Sequence, residues 1–550
     1  MATFNLVTEP WIPVMTDIRA SPELVTLPDL FARAPTLWHI ADPSPLTTIA
    51  LYRLLLAVLH RAYQGPTPAL WENIWQQGTF DTGRIHAYLT QWQQRFDLFD
   101  ATHPFYQTAG LHTLVKETKP ASQLLFERAS DRNRALLFDH SAPDFALPPD
   151  EAARALLATQ AFSVGGMITS EHVDHKFAKA SPLSGCAVCL VRGETIFETL
   201  LLNWLGYTPT NGYRIDARDR DAPAWERDEP TRSGDRYPDG YTDLLTWQSR
   251  RIQLFPTVTT AGTVTIDQVL IMKGYSFAPA FEPKDHETMV AYRKDTRTKA
   301  ASPWRPIGLR ADRLVWRDSY ALLHTVQDAS ASLPTLAWLG NEVSDVFAES
   351  THLRPLDIYG FITDQASYMD WRRESLPFAP VLLQQPQLME TIKIALEVAN
   401  ASERWLKATE IAMKSSQKGP SPFLLLCTSY LRNADDPWHW HGHTLKKEAL
   451  DRVTIQCSRV LLYWSALEQP FRQLLHALIQ ETPNSDLVFG EGPLLLWKAQ
   501  VYTAVHRSFQ SSCRALGSSA AALRAVALSR DYLGVCSHQL RFSQERTVTV

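Results

Sequence analysis

The sequence predicts an α+β chain: a large mixed N-terminal domain of irregular sheets and loops, followed by a C-terminal domain of antiparallel helices. Three observations predict it. Twenty-nine of the 35 prolines lie in the first 386 residues and six in the last 164. Before that point short apolar segments alternate as strands do, or break at proline and glycine; beyond it apolar residues recur at three- and four-residue spacing. The connections between these amphipathic stretches are short, which favours antiparallel neighbours. The expected domains are 1–380 and 381–550.

Composition narrows the function classes. The chain has 550 residues, 45% apolar and 20% charged, as expected of a water-soluble globular protein with a large core. Seventeen tryptophans imply many core anchors. The net charge is −4, whereas a protein that binds DNA by itself is usually basic. Any nucleic-acid contact is therefore local, within an assembly whose other parts carry the positive charge. Six cysteines, at 186, 189, 427, 457, 513 and 536, are too sparse for a disulfide framework. No apolar run reaches membrane-spanning length and the N-terminus lacks a basic region with an apolar core, so a cytoplasmic protein with no membrane partner is expected.

In order along the chain, Phe4–Val14 reads as a short strand with proline breaks, suited to a sheet edge. Ser44 and Pro45 open a helix to about Tyr63, with Leu51, Leu54, Leu55, Val58 and Leu59 as its apolar stripe. A second helix is expected over 83–95. His103-Pro-Phe-Tyr-Gln107 follows, and His103 beside two aromatic rings reads as a packed core histidine. Ala135–Ser141 is strand-like with a polar end. Asp150 caps a helix to Phe162, and Gly165-Gly166 follows it.

Cys186 and Cys189 form a lone Cys-x-x-Cys with no second pair nearby, so two small buried residues are expected and no zinc. Glu198–Leu205 reads as helix. Residues 214–234 read as a charged, solvated loop containing Pro223-Ala-Trp225. Arg251–Leu254 and Val264–Phe277 read as strands, with Lys273-Gly-Tyr275 near the end of the latter. Arg293, Lys294, Arg297 and Lys299 cluster near Tyr292 and Trp304, the best phosphate-facing patch of the chain. From Tyr359 to Phe378 a polar tip, Asp364-Gln365-Ala366-Ser367, stands between apolar anchors, with Gly360 allowing a bend and Arg372 and Arg373 placing cations close by. Such a tip suits entry into a nucleic-acid groove. Helical stripes then run over 388–399, 449–464, 471–479, 494–509 and 520–533.

The Gln-Ala-Ser tip with its following arginines, ahead of a helical C-terminus, resembles the CasA family, the large subunit of the type I-E CRISPR Cascade. Phe4–Val14, His103–Gln107 and Pro223-Ala-Trp225 resemble motifs of the same family. The resemblance is discontinuous but spans the chain. It implies a C-terminal four-helix bundle. It implies DNA contacts at Gln365, Ala366 and Asp364, at a minor-groove lysine near Lys273, and at the glycine loop Gly165-Gly166. It places Phe138, Asp139 and His140 near the CRISPR RNA. Implied partners are other Cascade subunits, CRISPR RNA, double-stranded target DNA and a helicase–nuclease effector. Asp364 departs from the family, whose better-known members carry asparagine there; an ionised aspartate only accepts hydrogen bonds.

Two other readings remain open on the residues. His439, His441 and His443 alternate within Trp438–His443 and could hold a metal ion, which would suit a metal-dependent nuclease. A scaffold without nucleic-acid contact is the other. No P-loop, Gly-x-Ser-x-Gly or nuclease signature occurs. The leading expectation is a non-catalytic, cofactor-free subunit that reads the motif beside the target, helps to open the duplex, and offers a surface to the helicase–nuclease.

Overall fold

The computed structural model describes residues 2–112, 118–129, 139–140, 145–169, 177–207, 219–295, 302–324, 330–331, 333–344, 353–364, 367–406, 459–480, 491–520, 522–527, 529–530 and 533. The chain divides into two compact units, Met1–Gln384 and Gln385–Val550. Among the described residues no helix is long and apolar enough to cross a membrane.

The first unit is built round the helix Pro45–Tyr63. Ser44 caps it, its hydroxyl accepting from the Thr47 N–H, and Pro45 occupies the first turn, where a missing N–H costs nothing. Residues Leu46 to His60 are buried on every face, because the helices Pro149–Phe162 and Thr82–Trp92 and the strands of a long hairpin surround it. Burial on all sides requires the one cation there to be paired. Arg53, 3% exposed, donates twice to the Glu287 carboxylate, at 2.8 and 3.0 Å, and once to the Leu244 carbonyl. Burial opposes the Arg53 charge, but Glu287 outweighs it and holds the guanidinium above its ordinary pKa.

The sheets of this unit are small. Ile12–Met15 lies between Glu23–Val25 and His39–Ile40. It is therefore a central strand and not the edge strand that its prolines suggested. Pro13 is tolerated because it uses only its acceptor, taking the Ala41 N–H at 2.9 Å. A second sheet pairs Arg250–Val258 with Val264–Lys273, which also pairs with Lys119–Pro120. The third sheet sets the long hairpin, Arg354–Asp364 and Ser367–Phe378, against Val188–Val191. Cys186 and Cys189 are both buried there, and burial pushes the Cys186 thiol up to about 12. Trp11, Trp71, Trp204 and Trp338 are fully buried core anchors.

His103 is half-buried and not part of the core. Asp100 holds its backbone, and its ring Nε2 lies 3.3 Å from the Asp228 carbonyl. The helix expected from Asp150 begins one residue earlier, at Pro149, with Asp150 in its first turn. There Asp150 accepts from Arg154 at 2.9 Å.

Among the described residues the second unit has three long helices, Pro386–Leu406, Val460–Gln480 and Glu491–Ala515, each packed on the other two. Tryptophan and tyrosine polar tips tie them to backbone and side-chain acceptors. The Tyr463 hydroxyl donates to Ala399 at 2.8 Å, Trp497 to Ala395 at 2.9 Å, and Trp464 to Glu403 at 2.9 Å. Residues 522–527 are also helical. Val460–Trp464, at the end of the stripe expected over 449–464, and the stripe expected over 471–479 lie in one helix, Val460–Gln480. Pro470 removes a backbone bond, but Tyr463, Trp464, Leu467, Phe471, Leu474, Leu475 and Leu478 continue one buried stripe through it.

The buried pair predicts a specific asymmetry. Arg53→Ala strands the Glu287 charge and should cost about 3–5 kcal/mol, read from denaturant unfolding. The double change Arg53→Met with Glu287→Leu should recover most of that loss.

Candidate nucleic-acid interface

A long hairpin, Arg354–Asp364 and Ser367–Phe378, organises the candidate site. Its strands pair from Arg354 opposite Phe378 to Asp364 opposite Ser367. That pairing leaves Gln365 and Ala366 as the two connecting residues; they lie outside the described residues, as does the Asp364 side chain. The stem is anchored by Leu356, Ile358, Tyr359 and Phe361 on one strand and Leu376 and Phe378 on the other, each at most 1% exposed.

A charged knot fixes the stem. Asp357 has no exposure, yet it lies between Leu356 and Ile358 in the central strand. Arg192 reaches it at 2.9 Å and Arg373 at 2.7 Å. Arg373 also donates to His39 Nε2 at 3.0 Å. A guanidinium can only donate, so Nε2 accepts and the imidazole proton resides on Nδ1, 3.3 Å from the Tyr52 hydroxyl. Burial, and then the Arg373 and Arg192 charges, push His39 down to about 3, so it is neutral near pH 7.

Arg372 and Arg373 are therefore not cations beside the tip. They pair with Gly360 and Tyr359. Five residues of extended strand separate Arg372 from Ser367, roughly 17 Å. Arg372 donates to the Arg310 carbonyl, and Arg373 braces the stem from beneath. Gly360 makes no bend. It lies in the strand, where a Cβ would meet the Cys186 carbonyl at 2.5 Å, so glycine is needed for close packing.

The glycine segment is joined to this stem. Phe361 meets Phe162 edge-on at 6.0 Å, and Phe162 ends the helix that leads into Gly165-Gly166. A Cβ on Gly165 would lie 3.1 Å from the Ala180 nitrogen, whereas one on Gly166 would meet nothing within 4 Å. Gly166 thus presents open backbone at the start of the ribbon Gly166–Met167, which pairs with Phe177–Ala178.

Lys273 lies in the same neighbourhood. It ends the strand Val264–Lys273, opposite Arg250, and is half-buried. Arg250 donates to the Val164 carbonyl at 2.9 Å, just before the glycines, and Thr169 bridges Met272, just before Lys273. Gly165, Gly166 and Lys273 are thereby held together, with the hairpin stem attached through Phe162.

The remaining expected residues are placed less closely. Arg293 and Lys294 are exposed on a different strand, Tyr292–Lys294, with Arg293 4.0 Å from Asp318. Arg297 and Lys299 lie outside the described residues, as do Phe138 and the three histidines His439, His441 and His443. Asp139 and His140 form a short strand parallel to Arg128–Ala129, and their side chains are outside the description. Among the described residues no group of three or more His, Cys, Asp or Glu could hold a metal ion. Sequence reasoning missed Asp357, Arg192 and His39. A lone acid between Leu356 and Ile358 was the available signal for a buried pair.

Fold and site together define a two-unit protein that presents a braced hairpin beside an open glycine segment and a lysine. The family model described as CRISPR-associated protein Cse1 matches residues 5–508. The chain is 32% identical over 548 residues to the CRISPR-associated protein CasA/Cse1 of Thermus thermophilus, covering 96% of each. A crystal structure of Thermus thermophilus CasA matches with a TM-score of 0.77 at 28% identity, over 98% of this chain and 99% of that one. A chain from a structure described as a CRISPR RNA-guided surveillance complex shares the fold, with a TM-score of 0.73 at 21% identity over 96% and 99%. The chain belongs to the CRISPR-associated Cse1 family.

The neutral buried imidazole has a pH consequence. Unfolding frees His39 to bind a proton below its ordinary pKa near 6.5, while the folded state resists until about 3. Its depressed pKa contributes stability above pH 6.5 that is lost as pH falls toward 3. His39→Gln should lose less stability than wild type between pH 7 and pH 5, measured by denaturant midpoint at each pH.

Proposed function

We propose that this chain is the non-catalytic large subunit of a type I-E Cascade, an RNA-guided surveillance complex. In this reading it recognises the protospacer-adjacent motif in double-stranded DNA, promotes duplex opening and R-loop formation, and offers a surface to a helicase–nuclease. Cytoplasmic location accords with this role. The N-terminal domain expected over residues 1–380 carries motif recognition and contacts to guide RNA and neighbouring subunits. The second domain, 381–550, is a four-helix bundle that completes the subunit.

The observation that carries the reading is the braced hairpin with a two-residue connection, in a member of the Cse1 family. A surveillance complex that pairs RNA with one DNA strand must first open the pair beside the motif. Unstacking costs a few kcal/mol per step, after which heteroduplex formation roughly balances duplex loss. The difficulty is concentrated at initiation, and a rigid stem lets a short tip act there as a wedge. Gln365 supplies the length and the amide, Ala366 allows close backbone approach, and Asp364 accepts from an exposed amino group. Gly165, Gly166 and Lys273 follow the minor groove beside the wedge. Arg293, Lys294, Arg297 and Lys299 face phosphates, while Phe138, Asp139 and His140 meet the guide RNA.

With a net charge of −4 the free subunit should bind duplex weakly and lose that binding with salt; the assembled complex should bind far more tightly. In the assembled complex, Gln365→Gly with Ala366→Gly should slow opening of a fully paired target. A target already mismatched at the first positions should rescue it. Equal defects on both targets would reject the wedge, and no defect on either would return the tip to an ordinary turn. Lys273→Ala should weaken duplex binding and lower the salt slope by about one, with assembly intact.

A further inference from the structure

We propose that Met369 is a second DNA contact of the hairpin, its thioether packing against the base pair exposed when the duplex opens. The inference rests on the wedge reading above and adds an apolar base contact to it. Thr363 pairs with Tyr368 and Ile362 with Asp370, so Met369 is the one extra residue of a β-bulge next to the tip. A bulge breaks strict alternation and re-aims the side chain it carries. Met369 is 48% exposed, whereas Leu356, Ile358, Tyr359, Phe361, Ile362, Leu376 and Phe378 of the same hairpin are 8% exposed or less. The bulge thus turns one large apolar side chain outward where the register would otherwise fix it.

Charge decides what that side chain can meet. From Ile362 to Trp371 the sequence contains Asp364 and Asp370 and no lysine or arginine. The nearest arginines are held in the stem, Arg372 at the Arg310 carbonyl and Arg373 at Asp357. A tip of this charge is repelled by phosphates, so its attraction to DNA must come from bases, through an amide and an apolar surface. Methionine suits the second task. It is unbranched and polarisable, and fits irregular apolar faces. Apolar side chains of this kind are used as wedges between base steps.

The test uses the assembled complex with its guide RNA and a target carrying 2-aminopurine at the first opened position. Met369→Ser should slow opening about fivefold or more, the low end of a base-stacking contact. Met369→Leu should stay within about twofold of wild type, because an apolar side chain of similar volume can make the same contact. The salt slope of binding should not change, and a pre-mismatched target should restore Met369→Ser. A wild-type rate for Met369→Ser, while the Gln365→Gly, Ala366→Gly variant is slow, would overturn this inference and leave the wedge standing. If both variants opened at the wild-type rate, the wedge reading itself would fall. A reduced salt slope, or an equal defect on both targets, would also overturn the base contact, pointing instead to a phosphate contact or to a structural role.

Discussion

A carboxylate with no exposure to solvent sets the geometry of the hairpin. Asp357 can be buried only because Arg192 and Arg373 both reach it. Removing one partner of such a buried pair typically costs about 3–5 kcal/mol, whereas an exposed pair is worth at most about 1 kcal/mol. The knot therefore outweighs the more exposed pair of Arg372 with Asp370 at 3.8 Å. A one-residue slip of the strand would turn Asp357 to the opposite face and away from both cations. The same slip would carry a side chain into the place where Gly360 meets the Cys186 carbonyl. Electrostatics and close packing thus select one register.

That register has consequences along the hairpin. It directs Arg372 and Arg373 into the stem, away from the tip that carries Asp364. Positive charge and open backbone lie instead in the adjoining segment, at Lys273 and Gly166, tied to the stem through Phe162 and Phe361. Anchoring and contact are divided between neighbouring elements. In the proposed role, a chain of net charge −4 would recognise nucleic acid through a few placed groups and not a basic surface.

Elements whose signals are local were legible in the sequence. Ser44 and Pro45 fixed the start of the central helix, and the stripe from Leu388 to Ala399 marked the first long helix of the second unit. Features set by tertiary pairing were not. The prolines of Phe4–Val14 suggested an edge strand, yet Pro13 sits in a central one by using only its acceptor. The stripes over 449–464 and 471–479 read as separate helices, yet one buried stripe carries the helix Val460–Gln480 through Pro470. Arg372 and Arg373 read as free cations because Asp357 and the Arg310 carbonyl, distant in sequence, could not be assigned to them. Gly165, Gly166 and Lys273 were named separately, but their proximity depends on bonds between segments more than 80 residues apart, such as Arg250 to Val164.

The central claim is that the hairpin tip meets the first base pairs opened beside the motif. The most direct test places a photo-crosslinking amino acid at position 365 in the assembled complex bound to target DNA. The account predicts crosslinks to nucleotides at the first opened positions, lost when the target lacks the motif. Crosslinks to protein alone, or to DNA far from those positions, would contradict it.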